Sequence, residues 1–250
     1  MPDLNALPIA DLEKMCDARL LDLYRKIHRD PESYRAAILE ALAPRPRLPI
    51  EELLSTICKP IGSDSAWSDV VDICRRSVPG APWNHLPQPN INRDIAAAEQ
   101  WLESQLRRLD RITGVYLGLD ALNMGDGDGK NVEIGGTANC DPQQDSIKWL
   151  YSGLTYGNVH LIHGLYELHA EYSTTAWRVN DKSIPCGSFF SFADYVLFLS
   201  YSGIVLGNAF QSLKISRPFL ASWGFHDGDM FLLCRNSADG FAMLCRLGDE

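Results

Sequence analysis

The stretch GVYLGLDALNMGDGDGKNVEIGG, residues 114–136, decides the fold. It opens with a short apolar run, Gly114–Asp120 (GVYLGLD), and closes with an alternating one, Asn131–Gly136 (NVEIGG). Runs of this length and pattern read as strands. A connection rich in Gly and Asp joins strands as a hairpin, because both residues accept positive φ. The DGDGKNVE core of the stretch does not have the register of a calcium loop. Asp126 and Asp128 fit the first two ligand positions of an EF-hand, but Lys130 stands at the third. Asn131 occupies the place of the turn glycine, and Thr137 that of the bidentate glutamate. The G-x-x-x-x-G-K-[ST] spacing of a phosphate loop is also missing, and the acids would repel a phosphate. The expectation is an acidic hairpin tip.

Upstream of this stretch the pattern is helical. Ile9, Leu12, Cys16, Leu20, Leu23 and Ile27 lie on one helical face, with Asp11, Lys14, Asp22, Arg25 and Arg29 on the remainder. Asp30-Pro31-Glu32 supplies an N-cap, a proline at the first helical position and an acid in the first turn. Pro44, Pro46 and Pro49 end that helix, and the chain restarts at Ile50-Glu51-Glu52. Trp67, Val70, Cys74 and Val78 mark a further helix. PGAPWNHLPQPN (79–90) holds four prolines in twelve residues and reads as a linker or surface strap. Asn90 can cap the next helix, whose buried side carries Ile91, Ile95, Ala98, Leu102 and Leu109.

Downstream, Asn158–Tyr172 has helical spacing through Val159, Ile162, Leu165 and Leu168. Trp177–Val179 reads as a strand, Phe192–Phe210 as a long buried helix weakened by Gly203 and Gly207, and Arg217–Trp223 as one more helical turn. Met230–Arg235 and Phe241–Arg246 are strands joined through NSADG as a hairpin. The fold class is therefore α+β: a helical N-terminal part, then a mixed region with a small antiparallel sheet and packed helices. The expected division is a helical region 1–78, the Pro-rich segment 79–90 and an α+β domain 91–250.

The chain has 250 residues, ample for a core, and a formal net charge of −9. Residues 113–177 hold eight acids (Asp120, Asp126, Asp128, Glu133, Asp141, Asp145, Glu167, Glu171) against Lys130 and Lys148. Such a balance argues against nucleic acid as partner, since a polyanion is met by clustered Lys and Arg. It suits a basic protein. Seven cysteines without a C-x-x-C pair read as buried free thiols in a reducing compartment, and the N-terminus shows no secretory signal, so the expectation is the cytoplasm. No apolar stretch has the length to span a membrane.

His160, His163 and Glu167 share a putative helical stripe that could hold a metal. His226, with Asp227 and Asp229, forms a second His/Asp group, which a turn before a strand explains as economically. Nucleophile motifs are absent. Tyr151, Tyr156, Tyr166 and Tyr172 belong to an aromatic-rich half that serves the core or an interface.

The segments GVYLGLDALNM…NVEIGG, YGNVHLIHGLYELH, FADYVLFLSYSGIVL and WGFHDGDMFLL together resemble the α+β immunity proteins of bacterial polymorphic-toxin and type VI secretion systems, over residues 112–235. The resemblance implies a small acidic cytoplasmic protein that plugs or masks a cognate toxin, often a nuclease. It implies no catalytic residues, no metal and no cofactor. Carboxylates can mimic the phosphates that such a toxin holds, so Asp120, Asp126, Asp128, Glu133, Asp141 and Asp145 are the expected contacts to a basic partner surface. The other readings left open are a metal-dependent hydrolase using His160, His163, Glu167 and Asp227, and a structural adaptor with a helical docking region.

Overall fold

A computed structural model describes residues 4–16, 18–27, 29–42, 50–58, 63–77, 83–109, 111–120, 131–172, 194–226 and 230–248. The apolar stripe at the N-terminus folds as two helices, α1 (Ile9–Glu13) and α2 (Ala18–Ile27), rather than one. Both pack on α3 (Pro31–Leu42), which begins where the sequence placed its cap: Ser33 N donates to Asp30 Oδ1 at 2.8 Å. Leu12, Leu21, Tyr34 and Ile38 close a small core of their own. Next come α4 (Ile50–Ile57), α5 (Ser63–Ser77) and α6 (Ile91–Arg108), the last capped by Asn90, whose Oδ1 accepts from Arg93 N at 3.0 Å. Between α5 and α6, Trp83 and Leu86 of the proline-rich segment are buried in the main core. That core runs across the segment: Leu53, Ile57, Trp67, Val70 and Cys74 from α4 and α5 join Leu102, Leu117, Ile204 and Trp223 in one cluster.

The class is α+β, and the sheet at its centre is larger than the hairpins alone suggest. Strands β1 (Gly114–Leu119), β2 (Val132–Thr137), β3 (Thr155–Tyr156), β4 (Phe219–Phe225), β5 (Met230–Ser237) and β6 (Gly240–Leu247) form one six-stranded sheet in the order β3-β2-β1-β4-β5-β6. Neighbours are antiparallel except β1 and β4, which run parallel at the centre. The sheet is therefore mixed rather than antiparallel throughout. Its middle strand is FLASWGF, where the spacing suggested a helical turn at Arg217–Trp223. The reason is burial on both faces: six of its seven residues are fully buried, so the two-residue alternation that marks a half-wet strand is lost.

One face of the sheet carries Val115, Leu117, Leu119, Val132, Ile134, Phe219, Ala221, Trp223, Phe231 and Leu233, and the helices cover it. Packed among them is α8 (Leu199–Ser212), entered through a π-helical turn at Asp194–Phe198 and preceded by α7 (His163–Tyr172). Gly203 and Gly207 let α8 lie close: a Cβ at Gly203 would stand 3.1 Å from the Trp223 ring, and one at Gly207 2.5 Å from Met243 Cε. No helix among the described residues is long and apolar enough to cross a membrane. The suggested strand at Trp177–Val179 lies outside the described residues.

The segment 138–154 crosses the other face. Thr113 Oγ1 donates to Cys140 O at 2.6 Å, and Cys140, Ile147 and Trp149 seal Leu220, Leu232 and part of Tyr116. A Cβ at Gly114 would meet Cys140 Cβ at 2.7 Å, so the cover rests directly on bare backbone. It leaves the opposite end of that face, toward the carboxyl ends of β1 and β4, for the groups described next.

Candidate functional site

Strand parity assembles the site. Tyr116 pairs with Gly135 and Ser222, and Gly118 with Glu133 and Gly224, so all six residues point to one face. Tyr156 of β3 lies opposite Gly135 on that face as well. His226 follows β4 directly, with its N–H donating to Leu119 O at 3.3 Å. Its ring lies over Gly118: a Cβ there would stand 2.6 Å from His226 Cε1 and 2.4 Å from the Tyr116 hydroxyl. The glycine is what lets Tyr116 and His226 meet. A glycine inside an apolar strand commonly marks such a close approach.

The resulting contacts form a short relay. The Tyr116 hydroxyl is 2.8 Å from His226 Nδ1, and His226 Nε2 is 3.5 Å from Glu133 Oε2. With a proton on Nε2, toward the carboxylate, Nδ1 is free to accept from the Tyr116 O–H. Tyr116 is 6% exposed, whereas the His226 and Glu133 side chains are 34% and 29% exposed. The relay thus has a buried phenol at one end and a solvent-facing acid–imidazole pair at the other. It sits where β1 and β4 diverge: the chain leaves β1 toward β2 and leaves β4 toward β5, on opposite sides. In open sheets the carboxyl ends of such a diverging parallel pair bound a crevice. Beside Gly135 on this face stands a large exposed ring, Tyr156 at 55%; a second, Tyr151 at 80%, lies on the 3-10 turn Lys148–Tyr151 of the covering segment, whose Trp149 rests against Gly114 at the other end of β1.

The six acids singled out in the sequence divide among different surroundings. Glu133 is part of the relay, and Asp120 ends β1 beside it, its N–H donating to Asn131 O at 3.1 Å. Asp141 holds its own turn, accepting from Gln143 N and from Gln144 Nε2, both at 3.0 Å. Asp145 is gripped by two guanidinium groups, those of Arg235 and Arg246. Arg235 pairs with Leu220, which pairs with Gly114, whereas Glu133 pairs with Gly118. Four strand residues, about 13 Å, separate those levels, so Asp145 does not join Glu133 in one patch. Asp126 and Asp128 lie outside the described residues, as do Asp227 and Asp229.

His160, His163 and Glu167 do not share a helix. Residues before His163 are extended, and His160 bridges Val132 through paired backbone hydrogen bonds of 2.8 and 3.1 Å. Two side chains far away in sequence fix the start of α7. Asn131 grips Ile162 at both its N–H and its carbonyl (2.9 and 3.0 Å), and Asp94 Oδ2 accepts from Gly164 N at 2.7 Å. Asp94 is 1% exposed and also accepts from Tyr201 O–H at 2.9 Å and Arg93 Nε at 2.9 Å. A buried carboxylate with three donors at a helix N-terminus is a cap supplied in trans. Glu167 takes Arg93 at 3.1 Å. His160 stacks on Trp101 with ring centroids 4.9 Å apart, and burial pulls its pKa down to about 4 against the raising effect of Asp94. Among the described residues no group of three or more His, Cys, Asp and Glu is arranged to hold a metal.

Sequence reasoning picked out His226 but gave it Asp227 and Asp229 as companions, and it did not single out Tyr116. The signal that could have joined them was the run of strand glycines, Gly118, Gly135 and Gly224, at one parity with Tyr116 and Glu133.

The fold and the site define an α+β protein whose six-stranded mixed sheet is covered by helices on one face and, among the described residues, by the segment 138–154 over part of the other. No family model, no curated protein and no solved structure matches the chain.

Proposed function

We propose that the chain is an immunity protein, which binds and neutralises a cognate bacterial toxin, and that it does so with the half-open sheet face. The observation that carries this is the exposure of Tyr156, 55%, on the same face as the Glu133–His226 pair. A tyrosine held half in water is a ring whose apolar surface still waits to be covered. Rings of this kind, at low entropic expense, carry much of the binding energy at protein interfaces. Tyr151 adds a second ring, and Glu133 and Asp120 add negative charge where a basic partner would dock. The chain's net charge of −9 steers such a partner from a distance. The toxin is then a protein with a basic surface, of which a nuclease acting in the type VI manner is the kind the acidity fits best.

The test is co-expression with a candidate toxin, such as a toxic product of a neighbouring reading frame. The expected result is restored growth and a stoichiometric complex that survives gel filtration. Tyr151→Ala with Tyr156→Ala should weaken the complex by 10-fold or more, on the order of 1.4 kcal/mol or above. Growth arrest despite equal expression of the wild-type chain would overturn the proposal.

A further inference from the structure

A second concave surface lies away from the open sheet face. A groove of about 290 Å³ runs between the end of α6 and the segment that links α8 to β4. Part of its lining is apolar. Leu106 of α6 is buried, and Leu213 and Ile215 of the linking segment are partly buried against the main core. The linking segment is held in place along its length. Leu213 N donates to Phe210 O at 3.2 Å, and Asn236 Nδ2 of β5 donates to Ile215 O at 2.9 Å and to Arg217 O at 2.7 Å. A cleft of this volume, with a wall so fixed, stands at the lower end of small-ligand sites, which are commonly preformed.

The charge of the groove is opposite to that of the chain. Its described lining carries three cations, Arg107, Lys214 and Arg217, against one acid, Glu103, in a protein of net charge −9. Arg107 donates to Glu103 at 2.5 Å, one helical turn back, and stands where a helix C-terminus ordinarily carries a cation. The other two cations lie outside both helices. Arg217 Nη2 donates to Leu106 O at 2.8 Å, and that bond holds its guanidinium at the groove. Lys214 is exposed and makes no ion pair or hydrogen bond among the described residues, so its charge is not spent on the fold.

We propose that this groove binds a small organic anion, a carboxylate on a compact apolar body. The body lies against Leu106, Leu213 and Ile215, and the carboxylate takes Lys214 and Arg217. A guanidinium matches the plane of a carboxylate, and an ammonium adds a point charge that can follow it. Arg107 is already held by Glu103, and the same Glu103 disfavours an anion of higher charge such as a phosphate. The groove and the docking face stand at opposite ends of β4. Arg217 precedes the strand by two residues and His226 follows it directly, so seven residues of extended chain, about 23 Å, lie between them. The groove therefore serves a small molecule independently of the face proposed to dock a toxin.

Titration of the purified full chain with cinnamate tests this, with cinnamyl alcohol as the uncharged counterpart, followed by calorimetry and by amide NMR. The expected result is saturable binding of the acid, at least about ten-fold tighter than that of the alcohol, with the shifted amide signals centred on Arg107 and residues 213–217. Lys214→Glu should weaken the acid by about ten-fold or more and leave the alcohol unchanged; Lys214 is exposed, so the variant should unfold at the wild-type midpoint. Ile215→Ser should weaken acid and alcohol alike. The absence of saturable binding, equal affinity for acid and alcohol, unchanged affinity in Lys214→Glu, or shifts centred on Glu133 and Tyr156 would each overturn the proposal.

Discussion

Protonating His160 should loosen the whole fold. Its ring lies against Trp101 with an interplanar angle of 14°, and its backbone is locked into β2 by Val132. Burial lowers its pKa from 6.5 to about 4. In the unfolded chain the imidazole takes its proton near 6.5, whereas the folded protein resists it until about 4. The stabilisation is thus fully present above the unfolded value and is lost as pH falls through that window. At ~1.4 kcal/mol per pH unit the loss is about 3 kcal/mol, a large share of the stability of an ordinary domain. His160→Phe keeps a ring on Trp101 and removes the titration. Urea unfolding followed by tryptophan fluorescence, from about pH 7.5 to about pH 4, should show the wild type losing about 3 kcal/mol more than the variant. Two parallel profiles would refute the reasoning, because they would mean that His160 is solvated in the native state.

Three further outcomes follow from the geometry. Gly164→Ala puts a Cβ 2.2 Å from the buried Tyr201 hydroxyl and 2.3 Å from its ring carbon; chemical denaturation should show a loss of about 3 kcal/mol or more, against under ~1 kcal/mol for Gly207→Ala, which meets only the flexible end of Met243. Asp94→Asn leaves Tyr201 O–H, Gly164 N and Arg93 around a neutral amide, and should cost about 2–4 kcal/mol in the same assay. Gly118→Ala should push His226 off Tyr116, read as a changed His226 imidazole resonance in NMR with a loss of about 1–3 kcal/mol; an unmoved resonance would contradict the floor role given to this glycine.

What the sequence made legible was whatever short-range pattern controls. The caps at Asp30 and Asn90, the strands on either side of residues 121–130 and the final hairpin all follow from neighbours a few positions apart. What stayed hidden depends on distant partners. FLASWGF reads as helix because both its faces are buried, and its pairing with β1 joins residues about a hundred positions apart. The helix expected from Asn158 begins only at His163, because Asn131 and Asp94, both remote in sequence, set its start. The candidate site was half legible for the same reason. Glu133 was marked as one of the acids expected to meet a partner and His226 as part of a His/Asp group, but the relay that joins them to Tyr116 needs the parallel β1–β4 pairing to exist. The acidic residues looked like one field when counted along the chain; in space Asp145 is spent on Arg235 and Arg246, and Glu133 stands on β2 two residues from Gly135, the partner of Tyr156.

The central claim is that the half-open sheet face docks a basic toxin, and association kinetics test it most directly. Stopped-flow rates for a toxin that the chain binds should be measured across a salt series for the wild type, for Glu133→Lys with Asp120→Lys, and for Asp145→Lys as a comparison at the other end of the sheet. The account predicts that the double variant associates at least about ten-fold more slowly at low salt, with a flatter salt dependence, while Asp145→Lys changes the rate far less. Equal rates for all three proteins at every salt concentration would contradict it.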